Sequence, residues 1–319
     1  MRKLHTCMSG LVIVTALALL PACGGGGGGS GTPNSTLNLG LTDSPITGAQ
    51  KVWISFSGVE VKPVNGNPID FTFSPSVGFD LLTLQNGATA TFLNGKTVPA
   101  GKYEWVRLMV DTTAGSSYVI DSLGNQHDLI IPSGAETGLK LIQGFTMPVG
   151  GVADFTVDFV LSRSILAPAG QLPSYVLKPV LRLVDNAQVG TIAGTFQTNT
   201  LQAQPNCTAP STVAPVVYIY PGAGVTPDDI YNPISPATDT AVGTESEVEP
   251  LVTATAALNS SSQYAFNVAF LTAGTYTVTF TCDNDDPNVD ESATTPSTVR
   301  FATTQTVTVT NGQTTQVTF

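Results

Sequence analysis

Apolar and polar residues alternate along much of this chain. Asp154-Phe155-Thr156-Val157-Asp158-Phe159 alternates strictly, which predicts a strand with Phe155, Val157 and Phe159 on one face. Lys51 to Val61 alternates over much of its length, and Trp105-Val106-Arg107-Leu108-Met109-Val110 is a further run. Tyr175 to Val184 predicts another strand, with Pro179 marking an edge or a bulge. Turn residues separate the runs: Asn65-Gly66, Asn86-Gly87, Asn94-Gly95, Pro99-Ala100-Gly101 and Leu123-Gly124-Asn125. No amphipathic helix of any length stands out. Short strands at regular spacing predict an all-β chain built as sandwiches or barrels.

The same texture continues after Gly190. Gly190 to Phe196, Tyr264 to Phe270 and Leu271 to Phe280 read as strands. Val307 to Phe319 reads as a hairpin, with Asn311-Gly312 supplying the positive φ of a type I′ turn. The Pro-, Ser- and Asp-rich stretch from Pro221 to Pro250 reads as one long inserted loop. Two β-sandwich domains are expected, over 37–189 and 190–319. Pro99-Ala100-Gly101-Lys102-Tyr103 and Thr272-Ala273-Gly274-Thr275-Tyr276 share Ala-Gly-x-Tyr before a strand. The tyrosine ring can enter the core while its hydroxyl reaches backbone. Shared turn physics and duplication of a sandwich both account for the repeat.

The start of the chain has a different character. Arg2 and Lys3 precede a ten-residue apolar run, Leu11 to Leu20, which suits a secretory signal and is too short to span a bilayer. Leu20-Pro21-Ala22-Cys23 follows and resembles the lipobox of bacterial lipoproteins. That resemblance implies removal of residues 1–22 and lipidation of Cys23 (a diacylglycerol on sulfur, often an acyl chain on the freed amine). Each buried methylene adds roughly 0.8 kcal/mol, so two or three chains hold almost permanently. An ordinary secretory signal with an incidental cysteine is the alternative. Gly24 to Gly29 and the residues to 36 read as a flexible tether, because glycines are costly to order and bury no side chain. Gly24 rather than Asp after Cys23 resembles the sorting pattern of enterobacterial lipoproteins, and that resemblance implies the outer membrane in a two-membrane cell, facing the periplasm or the surface.

Charge divides the mature chain. Gly24 to Val189 carries twelve acidic and nine basic residues, whereas Gly190 to Phe319 carries eleven acids against Arg300 alone. An acidic distal part argues against nucleic acid and anionic lipid as its partners. The partners expected are the membrane, through the lipid anchor, and an envelope protein or polysaccharide. With Cys7 leaving in the signal and Cys23 lipidated, Cys207 and Cys282 remain as an even pair in an oxidising compartment. A disulfide between them would contribute up to about 4 kcal/mol through loop entropy. Two separate buried thiols are the alternative.

Candidate chemistry is sparse. His127 is the single histidine of the mature chain, and a lone strand-edge histidine is ordinarily a surface residue. A Ser-His-Asp triad would have to use it, and Pro132-Ser133-Gly134 nearby lacks a nucleophile-elbow pattern. Asp154 and Asp158 stand about 13 Å apart by strand rise, too far for paired glycosidic carboxylates. Asp158 is better suited to an ion pair with Arg163, Lys178 or Arg182. No catalytic residues are nominated, and no cofactor is implied beyond Ca²⁺. Asp283, Asp285, Asp286 and Asp290 cluster oxygen ligands that suit Ca²⁺, without EF-hand spacing; a solvated acidic loop is the alternative reading. Tyr218, Tyr220 and Tyr231, with acids around them, suit either a glycan grip or packing of the long loop on its own domain.

Several segments also match a known family. Leu39-Gly40-Leu41-Thr42-Asp43-Ser44-Pro45, Asp80-Leu81-Leu82, Pro99 to Tyr103, Arg107-Leu108 and Pro132 to Gly134 resemble the DUF4382 domain. So do Gly138-Leu139-Lys140, Asp158-Phe159 and Lys178-Pro179-Val180-Leu181-Arg182. The resemblance runs in order from about Leu37 to Asp185 and implies an envelope context with no assigned activity. The segment after Gly190 resembles the prealbumin-like modules called carboxypeptidase regulatory-like or Cna-B-like, which are spacers or binding modules. The expectation is a non-enzymatic envelope lipoprotein with a role in adhesion or envelope organisation. An accessory subunit or enzyme acting on envelope polysaccharide, and a pure spacer, are the alternatives.

Overall fold

The computed structural model describes residues 33–44, 48–132, 138–166, 174–204, 206–207, 214–230, 247–283, 285 and 299–319. All of them belong to one unit, Pro33–Phe319. The signal segment, Cys23 and the glycine run lie outside the described residues.

The first half is built from β1 (Asn34–Ser44), β2 (Ala49–Pro63), β3 (Ile69–Asp80), β4 (Ala90–Pro99), β5 (Gly101–Val110), β6 (Tyr118–Asp121) and β7 (Gln126–Ile130). It continues with β8 (Leu139–Leu141), β9 (Phe145–Met147), β10 (Val152–Val160), β11 (Ile165–Leu166), β12 (Tyr175–Leu177) and β13 (Leu181–Asp185). One sheet runs β13-β10-β1-β4. The other runs β11-β12-β7-β6-β2-β5-β8, with β3 on β2 and β9 on β5. Period-two patterning sets the core. Leu37, Leu39 and Leu41 of β1 and Phe155, Val157 and Phe159 of β10 meet Val52, Ile54 and Phe56 of β2 in one buried cluster. Phe56 reaches across the layers to edge contacts with Phe92 and Phe159.

The second half contains β14 (Val189–Thr195), β15 (Val216–Pro221), β16 (Thr226–Pro227), β17 (Glu247–Val248), β18 (Val252–Thr255) and β19 (Ala257–Leu258). Then come β20 (Tyr264–Thr272), β21 (Gly274–Thr281), β22 (Gln305–Val309) and β23 (Thr314–Thr318). A five-residue helix, Thr198–Gln202, follows β14. Its sheets are β19-β20-β14-β23 and β18-β15-β21-β22, around a second buried cluster that includes Ile192, Val217, Phe266, Val278 and Phe280. The ends of the long loop are tied by parallel pairing of β16 with β17.

The two halves repeat one plan. In the first, β1 lies between antiparallel β4 and parallel β10. In the second, β14 lies between antiparallel β20 and parallel β23. Opposite them, β2 lies between antiparallel β3 and β5, as β15 lies between antiparallel β18 and β21. Antiparallel β9 borders β5 as β22 borders β21. The Ala-Gly-x-Tyr repeat marks the same place in both, where the chain leaves one sheet for the other. The Tyr103 hydroxyl donates to the Pro99 carbonyl at 2.8 Å, and the Tyr276 hydroxyl donates to the Thr272 carbonyl at 2.8 Å. The glycines differ: Gly101 has φ +134°, which disfavours any side chain, whereas a Cβ on Gly274 would meet only an ordinary contact, 3.8 Å from the Tyr276 ring.

Two sequence expectations are corrected. Val307 to Phe319 is no hairpin, because β22 pairs with β21 in one sheet and β23 pairs with β14 in the other. Only Gly312 has positive φ there, whereas a type I′ turn needs both central residues in that region. Tyr175 to Val184 is two strands. Pro179 carries no N–H and sits where the chain switches from β12, on β7 and β11, to β13, on β10.

Candidate functional site

The sequence nominated two cysteines and an acidic cluster, and the structure brings the cysteines together beside Asp283, with Asp285 two positions on. Cys207 and Cys282, 75 positions apart, form a disulfide with Cα atoms 5.3 Å apart. Asp283, next in the chain, is gripped by Arg300, whose Nε and Nη2 donate at 2.8 and 2.7 Å and whose backbone N–H donates at 2.9 Å. The Asn206 amide also donates to it. Hydrogen bonds from Arg300, above all, hold the Asp283 carboxyl below the usual range. Asp285 accepts from the Tyr218 hydroxyl at 2.7 Å and from the Ile230 N–H at 3.0 Å. These carboxylates face protein donors and hold the strand ends around the disulfide. Asp286 and Asp290 lie outside the described residues. Among the described residues no group of three or more His, Cys, Asp or Glu side chains gathers as a metal would require.

The other nominated groups have partners as well. His127 Nε2 lies 2.8 Å from Asp121 Oδ2, and its ring packs 5.4 Å from that of Tyr175. The hydrogen bond to His127, first, and the Asn125 N–H, second, bring the Asp121 carboxyl down to about 2. Ser133 lies outside the described residues. Asp158 pairs with Arg182 rather than Arg163 or Lys178, through both Nε and Nη2. Asp154 accepts from the Asn38 amide across the parallel β1/β10 register. Tyr218 and Tyr220 are fully buried, with the Tyr220 hydroxyl on the Asp228 carbonyl at 2.7 Å. Their rings pack the base of the long loop on its own half. Tyr231 lies outside the described residues.

The seam between the halves holds what the sequence reading missed. Thr156 and Asp158 are buried although they face away from the first core: Thr156 donates to Asn186 at 2.9 Å, and Asp158 shares a cavity lining with Val252 to Ala254 and Asn267 to Phe270 of the second half. The Asn267 amide donates to the Asn86 carbonyl at 2.8 Å, and Arg163 pairs with Glu249 at 2.7 Å. Gly87, at φ +82°, admits Asn267 so closely that a Cβ would lie 2.8 Å from its amide nitrogen. Asp43, at the end of β1, is buried, and neither of its carboxylate oxygens makes a hydrogen bond of normal geometry. Burial, first, and the negative charge of Asp158, second, push its carboxyl well above the usual range. Asp43, Asp158 and Asn267 line a cavity of about 20 Å³, which has room for roughly one water. Phe270, with φ +59° at a bulge in β20, forms part of its wall. A larger cavity of about 330 Å³ lies along the same seam, lined by Gln143, Phe145, Phe155, Asp185, Gln188 and Thr272. Asp43 did leave a signal, since it continues the inward series Leu37, Leu39, Leu41 and so places a carboxylate where alternation calls for an apolar side chain.

Comparison with known proteins bears on the first half. Residues 34–179 match the family described as "Domain of unknown function (DUF4382)". The DUF4382 match takes in β1 to β12 and stops before β13. No curated protein matches the chain. Among solved structures, the chain is similar to a leucine-rich repeat protein of Bacteroides thetaiotaomicron, at 12% identity and a TM-score of 0.23, covering 90% of this chain and 26% of that one. It is similar to the Bacillus anthracis TIE protein at 11% identity and a TM-score of 0.17, covering 89% of this chain and 34% of that one. The minor pilin GBS52 of Streptococcus agalactiae gives 8% identity and a TM-score of 0.18, covering 88% of this chain and 94% of that one. The chain thus spans about a quarter and a third of the length of the first two. At these scores the likeness carries no functional argument. No described helix is long and apolar enough to cross a membrane.

Proposed function

We propose that this chain is an envelope lipoprotein, anchored through acylated Cys23, whose two consecutive sandwiches bind or space envelope components and catalyse nothing. The divided domains would be 37–189, of the DUF4382 type, and 190–319, of the prealbumin-like type. The repeated strand order supports that division. One observation carries the non-catalytic reading. The described acids that the sequence analysis singled out are engaged in holding strands: Asp154 with Asn38, Asp158 with Arg182, Asp283 with Arg300 and Asn206, and Asp285 with Tyr218 and Ile230. Each of these acids already accepts from protein donors on neighbouring strands or loops, which supports a role in fixing the fold. The Leu20-Pro21-Ala22-Cys23 segment, with its apolar run and glycine tether, supports the anchor and an outer-membrane address.

The reading is tested by in-cell cross-linking of the full chain, paired with an assay on isolated envelope polysaccharide. The expected result is a reproducible cross-linked partner, protein or glycan, and no change in polymer length. Depolymerisation that disappears on a single Asp or Glu substitution would show an enzyme instead.

A further inference from the structure

We infer that the end of the first sandwich where β1 begins rests on the bilayer surface, with Val64, Val149 and Val152 entering the headgroup region. The inference builds on the reading of Cys23 as acylated.

Backbone pairing gathers this end. The Ala100 N–H donates to the Pro33 carbonyl at 2.7 Å, and the Gly150 N–H donates to the Asn34 carbonyl at 3.0 Å. Val152 pairs with Thr36 on β1. The Val64 N–H donates to the Lys102 carbonyl at 2.9 Å, and Lys102 pairs with Thr146 of β9. One rim therefore carries Pro33, the β2–β3 tip, the β4–β5 corner and the β9–β10 turn. Three valines on this rim stay in water, with exposures of 74% at Val149, 59% at Val152 and 45% at Val64. Scattered exposed valines need no explanation, but three on the rim that receives the chain from Cys23 call for one.

The tether says what covers them. Cys23 precedes Pro33 by ten positions, and a glycine-rich chain of that length spans roughly 17 Å root-mean-square. A lipid on Cys23 would thus hold the start of β1 close to the headgroups. Exposed Lys102, whose carbonyl takes the Val64 N–H, suits a lipid phosphate, with the exposed acids Glu104 and Asp154 two positions from Lys102 and Val152. The eleven acids of the second half set it apart from this apolar rim.

The test uses the lipidated full chain in vesicles of phosphatidylethanolamine and phosphatidylglycerol. A polarity-sensitive fluorophore is placed on Val149→Cys, or on Asn311→Cys in the β22–β23 turn as the reference. Spin-labelled lipid should quench the first at least threefold more than the second, with a blue shift. The triple variant Val64→Ser, Val149→Cys, Val152→Ser should lose that difference while melting at the same temperature. Equal, weak quenching at both positions in protein that floats with the vesicles and carries an acyl group on Cys23 would overturn the docking alone. Absence of the acyl group would overturn the anchor reading beneath it.

Discussion

Asp43 is the residue at which pattern and chemistry disagree. Its neighbours Leu37, Leu39 and Leu41 obey the strand period, and Asp43 takes the next inward position with a carboxyl. A raised folded value means that the neutral form is the one the fold prefers. Its contribution to stability is therefore complete below the unfolded value near 3.8 and is lost as pH rises through the raised folded value. Asp43→Asn removes the charge and keeps the shape. It should stabilise the protein at pH 7, where the fold opposes the charge, and should be close to neutral at pH 3.5, where both side chains are uncharged. Thermal melts at the two pH values check this. A variant that melts lower at pH 7 would show that the carboxylate has an attractive partner. The tyrosines were more legible than the acids. A ring in the core with its hydroxyl on upstream backbone follows from Ala-Gly-x-Tyr alone, whereas Asp285 taking the Tyr218 hydroxyl depends on a tertiary approach across 67 positions.

At the scale of strands, alternation located the core faces of β2, β5 and β10, since each buries one face against a partner sheet. It failed where the chain changes sheets. Val307 to Phe319 reads as a hairpin within one sheet and Tyr175 to Val184 as one strand because their apolar residues satisfy either sheet, and local sequence does not say which one receives them. Pro179 and the αL geometry at Gly312 supply the break. The tyrosine corners at the β4–β5 and β20–β21 junctions are the counterpart, a sheet change written into the sequence. Tyr103→Phe and Tyr276→Phe each remove the hydroxyl that donates to a carbonyl four positions upstream. Each should cost about 1 kcal/mol, read as a lower urea midpoint at unchanged slope. A neutral Tyr276→Phe beside a costly Tyr103→Phe would mean that the two corners are alike in geometry only.

The whole molecule repeats one seven-strand plan twice and locks the copies along a seam. The two-part division is visible in charge and in the Ala-Gly-x-Tyr repeat. The seam is not, because Asn86, Gly87, Arg163, Glu249 and Asn267 are unremarkable polar residues until the fold brings them together. The buried outer face of β10 was hidden for the same reason: Asp158 reads as a solvent position until Arg182 and the second half close over it. At this scale the account rests on attachment to lipid at the start of the chain, since the rim, the tether and the binding role all depend on it. The direct measurement is metabolic labelling with a clickable fatty acid, followed by membrane fractionation, for the natural chain and for Cys23→Ala. The account predicts label and membrane retention in the first, and an unlabelled, unprocessed or released chain in the second. Equal labelling and equal retention in both would contradict it.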